Sequence, residues 1–479
     1  MAAILAIDQG TTSTKAYRLE PDGAFNPVGS IRHRQIMPRP GWVEHDPLEL
    51  LAAIRTLIAS AGPVSSVGLA NQGETVVAWD AQSKRPLHNA IVWQDERTTA
   101  AIDALRSQGV EALTRARAGL PLDAYFSASK LRWLLEHGDG AATLRRAGRL
   151  RLGTSDAFFL DCLTGSFATD VSTASRTSLM DLNTRRWDAD LCAAFGVPME
   201  CLPDIRPTVA DFGMLDGGTR VKASIVDQQA ALFGHACDAA GDIKITFGTG
   251  AFALGLTGAA PPRGNTAELL PTCAWQIGDD PPRYALDGGI FTAGAARDWL
   301  DRLGLRHEAP GDGLPSGSRA IDKGIVFVPA QAGLACPYWD RTARGAWFGL
   351  DLATSPADLR HAVLEGIALR AAQLVRALDA AIGTIGRICI DGGLVRDDDF
   401  RQVLADALGR TIEVATIGDV TAFGVARLCA TALDRDRGRA LQPERLRIAP
   451  LRPLSPAHHA LFAEAIERAR GWTTLSARA

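Results

Sequence analysis

Residues 1–20 read MAAILAIDQGTTSTKAYRLE, and the fold class follows from how this stretch is taken. Residues 3–7 are a short apolar run of the kind a buried strand shows, and residues 15–19 resume an extended pattern after a polar turn. The result is a β-hairpin with a chemically loaded tip. Gly10 lets a ligand approach the backbone, Thr11, Thr12 and Ser13 add hydroxyl and N–H donors, and Lys15 adds a cation. Asp8, at the end of the strand, can hold Mg²⁺ directly or through water. These are the components of a phosphate-binding turn, although the D-x-G-T-T pattern alone also suits a solvated hairpin. Two further glycine and threonine turns downstream bear on that choice.

The composition sets bounds. With 479 residues, 47% of them hydrophobic and 22% charged, the chain is globular material sized for two or three domains. A formal net charge of -3, with arginines scattered among acids, excludes a basic nucleic-acid face. No run of about 18 apolar residues occurs and no signal-peptide pattern precedes the first strand, so no membrane partner and a cytoplasmic location are expected. The eight cysteines lie far apart without C-x-x-C spacing and read as small buried hydrophobes.

Along the first half, Asp46 and Pro47 open a helix over residues 48–61, and His45 beside that cap reads as a surface histidine. A strand at residues 64–69 ends in Asn71, Gln72, Gly73, Glu74 and Thr75. Strand ends beside a glycine are where α/β proteins place ligand contacts, so Glu74 is a candidate acceptor for ligand hydroxyls; a polar turn joining two strands is the alternative. Residues 90–97, AIVWQDER, repeat the pattern, with Trp93 as a flat apolar wall. Tyr125, ahead of a helix at residues 130–137, offers a hydroxyl to a polar ligand or serves as a core tyrosine. Residues 169–187, TDVSTASRTSLMDLNTRRW, are too polar for core and are expected at a surface or beside a cleft.

In the second half, a strand at residues 223–226 stops at Asp227, next to a helix start. A carboxylate there is fixed by backbone and reachable from a cleft, which makes Asp227 the best general-base candidate; aspartate is equally a helix N-cap. Small residues at 237–241 mark a boundary between units 1–238 and 239–479. Residues 243–252, IKITFGTGAF, then run a strand into Gly248, Thr249 and Gly250, and residues 388–395, ICIDGGLV, run another into Asp391, Gly392 and Gly393. In residues 284–300, Gly288, Gly289 and Gly294 interrupt an apolar run before a helix, which suits a loop pressed on a flat ligand. Helices are expected over residues 362–378, 398–408 and 421–433. Three strand-to-glycine turns fit two related α/β domains of actin-like (ribonuclease H-like) build, meeting around a nucleotide.

On these residues the chain resembles the FGGY carbohydrate kinases over nearly its whole length, the glycerol kinases among them most of all. The carrying segments are IDQGTTSTK from Ile7, GWVEHDP from Gly41, NQGET from Asn71, NAIVWQDERT from Asn89, DAYFSASKLRWLL from Asp123, VDQQAALFG from Val226, FGTGAF from Phe247 and DGG from Asp391. The resemblance implies two actin-like domains with ATP, Mg²⁺ and a small-molecule polyol or sugar in the cleft between them, and a homodimer as the candidate assembly. It implies Asp8 near Mg²⁺, and Thr11, Thr12, Ser13 and Lys15 near the transferring phosphate. It further implies Thr249 and Gly250 along the phosphates, with Gly294, Gly392 and Gly393 bordering the nucleotide. Asp397 stands where glycerol kinases carry an asparagine near the base. The matching acceptor positions are Gly73, Glu74, Trp93, Tyr125, Asp227, Gln228 and Phe252.

One departure bears on the acceptor. Glycerol kinases read N-Q-R-E-T, and here Gly73 stands in place of the arginine, removing a cation that forks onto substrate hydroxyls. Such a loss is worth about 1 to 3 kcal/mol, or roughly ten- to a hundredfold in glycerol preference, and points to a longer polyol or a ketose. Two other classes stay open on sequence alone: a non-catalytic binder of sugar or nucleotide, and an actin-like ATPase of the chaperone or filament type, in which Glu74, Trp93 and Tyr125 would have no role.

Overall fold

The computed structural model describes residues 3–262, 266, 268–305 and 319–473. The opening hairpin forms as the sequence predicts. Ile4–Gln9 pairs antiparallel with Ser13–Leu19, with Asp8 opposite Lys15. Ile4, Leu5, Ala6 and Ile7 are all buried, because the strand is central in its sheet and covered on both faces.

Across that sheet the strands run Arg220–Val226, Ser66–Asn71, Ile4–Gln9, Ser13–Leu19 and Phe25–Arg32, the first two parallel to Ile4–Gln9. The second large sheet repeats the plan. Ile243–Phe247 forms a hairpin with Ala251–Gly258 and pairs in parallel with Ile388–Asp391, followed by Ile412–Ala415. In both sheets the chain leaves a hairpin strand and its parallel neighbours at the same end, so that Asp8, Glu74 and Asp227 from one sheet and Thr249 and Asp391 from the other lie where the two meet.

Two helices cross between the sheets. Asp227–Gly234 and Val420–Leu433 approach so closely at Gly424 that any side chain there would strike the carbonyl of Ala230. One apolar cluster takes in Ile4, Ala6 and Ile225 from the first sheet, Leu254 and Ala285 from the second, and Ala422, Val425 and Ala426 from the crossing helix. The two sheets therefore share core, and the groups at their ends are held in fixed relation.

Two expectations are corrected. His45 is buried, with neither ring nitrogen hydrogen-bonded, and burial pulls its pKa down to about 4. It belongs to the short strand Glu44–His45 paired with Ala90–Ile91, which turns it inward from the capped helix Pro47–Ser60. Of residues 169–187, expected to be too polar for core, 169–182 are all buried, while 183, 184 and 186 are exposed as expected. Their polar groups satisfy one another: Asp170 accepts from Ser172 N (2.9 Å), Thr173 N (2.9 Å) and Thr208 Oγ1 (2.8 Å), and Ser175 Oγ meets Thr272 Oγ1 at 2.9 Å. Of the cysteines, Cys162 is partly exposed and the other seven are buried.

Candidate active site

The residues expected at the phosphates lie on turns. At the hairpin tip Gly10 N donates to Ser13 O at 3.0 Å, leaving Thr12 exposed and Thr11 half-buried. Lys15 Nζ lies 2.8 Å from Asp419 Oδ2 and 4.0 Å from Asp8 Oδ2. Asp419 caps the crossing helix by accepting from Ala422 N at 2.9 Å, so a group more than 400 residues away closes on the opening hairpin. Burial pushes the Asp8 carboxyl well above the usual range, and the charges of Asp419 and Asp227 add to this while Lys15 opposes it.

The second turn, Gly248 to Gly250, is stapled to the start of the helix Gly294–Arg302: Ala293 N and Ala295 N donate to Thr249 O (2.9 and 3.0 Å), and Gly294 N donates to Gly248 O (2.9 Å). Gly392, with φ +104°, packs the third turn onto the backbone of Phe247. Its neighbour Asp391 bonds His235 Nε2 through Oδ2 at 2.6 Å. Asp397 caps the helix Asp398–Leu408 through Phe400 N (3.1 Å) and lies 3.3 Å from Arg297 Nη2. Gly393 is exposed at the same turn.

The residues expected at the acceptor include three half-buried aromatic rings. Trp93 stands edge-on to Tyr125 (centroids 5.7 Å) and to Phe252 (6.1 Å), and its Nε1 donates to Thr11 Oγ1 at 3.0 Å. That bond ties the aromatic cluster to the opening hairpin turn. Beneath it Lys130 Nζ donates to the carbonyls of Tyr125 (2.6 Å) and Trp93 (3.2 Å), and burial lowers its pKa to about 8. Glu74 is buried and accepts from Arg176 Nε at 2.7 Å, while Arg176 Nη2 donates to Asp287 Oδ2 at 2.9 Å. Gly73 adopts φ +46°, and a Cβ there would press Val226 Cγ1 at 3.2 Å, so the turn is shaped for glycine; the guanidinium that pairs with Glu74 is that of Arg176.

Asp227 opens the helix Asp227–Gly234 at its first residue, the N-cap being Val226, and its Oδ1 accepts from Gln228 N at 2.7 Å. The surrounding protein desolvates the half-buried carboxyl and Glu74 adds to this, raising its pKa to about 6 against the pull of Lys244. Lys244, fully buried, bonds Gln228 Oε1 and Thr246 Oγ1, the latter at 2.8 Å. Val226 is the helix's N-cap, and the Asp227 carboxyl accepts one first-turn N–H while its pKa is raised towards neutral.

Sequence reasoning missed Arg176, Asp287, Lys130, Lys244, Asp419 and His235. A signal existed for Asp287, because Asp287-Gly288-Gly289 repeats the Asp391-Gly392-Gly393 pattern. Asp419 had none, since only the folded chain brings it to Lys15.

Glycine turns from both sheets thus lie with a carboxylate and a group of aromatic rings where the sheets meet. Residues 3–238 match the model of the FGGY family of carbohydrate kinases, N-terminal domain, and residues 243–433 match that of the C-terminal domain. Glycerol kinase of Rhizorhabdus wittichii is 41% identical, the match covering 98% of this chain and 96% of that one. Glycerol kinase of Citrifermentans bemidjiense is 42% identical over 89% of this chain and 90% of that one. Among solved structures, Plasmodium falciparum glycerol kinase with ADP superposes with a TM-score of 0.87 at 30% identity, covering 98% of each chain. Xylulose kinase from Rhodospirillum rubrum shares the fold, with a TM-score of 0.82 at 23% identity over 99% of this chain and 98% of that one. The chain belongs to the FGGY family of carbohydrate kinases. It is an ATP-dependent kinase with two actin-like α/β domains.

Proposed function

We propose that this kinase transfers the γ-phosphoryl group of ATP to a primary hydroxyl of a small polyol or sugar, a glycerol-like polyol, tetritol, pentitol or ketopentose, with Asp227 as the base. The observation that carries this reading is the Asp227 carboxylate, poised near pH 6 beside Lys244 and Glu74. Above that pH it is ionised and takes the proton as the acceptor oxygen attacks the γ-phosphorus. The new O–P bond forms, the bond to the β,γ-bridging oxygen breaks, and ADP leaves with that electron pair. Asp227 then returns its proton to solvent.

Trp93, Tyr125 and Phe252 orient the carbon skeleton, and Glu74, steadied by Arg176, accepts from its hydroxyls alongside Gln228. Thr11, Thr12, Ser13, Lys15, Thr249 and Gly250 bear on the phosphates, with Gly294, Gly392, Gly393 and Asp397 bordering the rest of the nucleotide. The carboxylates crowded around Asp8 fit a divalent cation. Asp8 would hold Mg²⁺, which when bound would supply charge neutralisation at the phosphates; among the described residues no three His, Cys, Asp or Glu side chains gather as a full cage. Units 1–238 and 239–479 close over the reactants and exclude water. No helix among the described residues is long and apolar enough to cross a membrane; a cytoplasmic homodimer without nucleic-acid partners completes the reading.

Gly73 makes an acceptor longer than glycerol the preferred one, in contrast to the glycerol kinases the chain resembles. ADP release over glycerol, erythritol, pentitols, ribulose and xylulose tests this: a larger acceptor should lead, and glycerol far ahead of every other compound overturns the reading of Gly73.

A further inference from the structure

On the face of the crossing helices away from the phosphate turns lies a cavity of about 460 Å³ that the transfer reaction does not use. It is lined by Arg283, Arg427, Arg435 and Arg439 against two acids, Asp238 and Asp280, in a chain that is acidic overall. Arg435 is already paired with Asp280 (2.8 and 3.1 Å), while Arg283 and Arg439 have no carboxylate partner among the described residues.

Arg427 is the centre of the cavity's chemistry. Its side chain is 2% exposed, stacks on Phe233 at 4.6 Å and donates to the Phe233 carbonyl, yet its Nε has no hydrogen-bond partner and Asp238 stands 4.0 Å from Nη2. A buried guanidinium so incompletely matched is costly unless an anion completes it. Arg387 and Arg445 add further positive field, and together with burial they hold the Arg427 pKa at about 10. Phe233 and Trp275, edge to face at 5.1 Å, supply an apolar wall for a small organic body.

We infer that this cavity is a second ligand site, separate from the catalytic cleft, that takes a phosphate monoester of metabolite size with its dianion on Arg427 and the flanking arginines. The volume suits such a ligand, and guanidinium forks match phosphate oxygens in pairs. The shared chemistry has two sources, free phosphate and a phosphorylated polyol, which the experiment separates.

Protein saturated with ADP and a polyol, so that the cleft is filled, is titrated calorimetrically with inorganic phosphate and with glycerol 3-phosphate. One equivalent of anion should bind, tightening as salt is lowered. Tighter binding of glycerol 3-phosphate assigns the site to esters; equal affinity assigns it to free phosphate, overturning the ester assignment. Arg427→Met should abolish binding. Arg283→Gln with Arg439→Gln, on exposed residues outside the catalytic machinery, should weaken it at least tenfold with kcat unchanged. Absence of binding with the cleft filled, or binding unaltered in the double variant, overturns the inference.

Discussion

Asp227→Asn separates chemistry from architecture in a single substitution. The two side chains are nearly isosteric, and the bond from Gln228 N to Oδ1 (2.7 Å) survives in the amide. Removing a positioned general base typically costs 10² to 10⁴ in rate, about 3 to 5 kcal/mol of transition-state stabilisation. The stability effect has the opposite sign. The folded-state pKa of Asp227 is raised to about 6 from 3.8. Stability from this group is therefore fully present below pH 4 and is lost as pH rises towards 6, so at pH 7 the ionised carboxylate costs roughly 2 to 3 kcal/mol. The neutral amide introduced by Asp227→Asn removes that cost. The variant should melt a few degrees higher than wild type at pH 7 and equally at pH 4, while ADP release in a coupled assay falls at least a hundredfold. In the wild type, kcat should drop about tenfold per pH unit below 6. Transfer at the wild-type rate in the variant refutes the base assignment, and a lower melting temperature at pH 7 refutes the electrostatic account of the site.

Other perturbations probe the rest of the cleft. Arg176→Gln leaves Glu74 and Asp287 buried without their cation and should cost about 3 to 5 kcal/mol in chemical denaturation; a loss below 1 kcal/mol would show the pair to be solvated. Lys15→Met removes the charge between Asp419 and Asp8 and should lower kcat at least a hundredfold with a raised Mg²⁺ requirement, both read from titrations of Mg²⁺ against ADP release. His235, although buried, is held protonated to about pH 9 by its bond to Asp391, so stability it lends is complete below pH 6.5 and disappears as pH rises through 9. His235→Gln should accordingly melt lower than wild type at pH 6.5 and converge with it above pH 9. Gly73→Arg should shift selectivity towards glycerol by ten- to a hundredfold in kcat/KM, while losing about 1 kcal/mol of stability to the left-handed backbone.

Local chemistry was legible in the sequence where one short segment carried it. The opening hairpin, the Asp46 cap of Pro47–Ser60 and the helix Asp398–Leu408 all stand where apolar runs, caps and turn residues put them. The helix expected over residues 362–378 extends to Pro356–Ile382, because Ser355 and Asp358 form a capping box that lies outside the apolar periodicity. What the sequence hid was pairing at a distance. Residues 169–187 looked too polar to bury, yet 169–182 are buried, because their mutual hydrogen bonds and the Glu74–Arg176–Asp287 bridge satisfy the polar groups. Lys130 and Lys244 carried no signal in the sequence; only the fold sets carbonyls and carboxylates around them. The loss of an arginine at Gly73 was readable, but the guanidinium that Arg176 brings to the same pocket was not.

The central claim is that the phosphate turns and Asp227 serve one transfer to an alcohol. The most direct measurement is ³¹P NMR of ATP and Mg²⁺ incubated with each polyol and ketose of the panel. The account predicts a phosphomonoester on a primary carbon, formed one for one with ADP and most rapidly with an acceptor longer than glycerol. Release of inorganic phosphate alone, whichever acceptor is present, would contradict it.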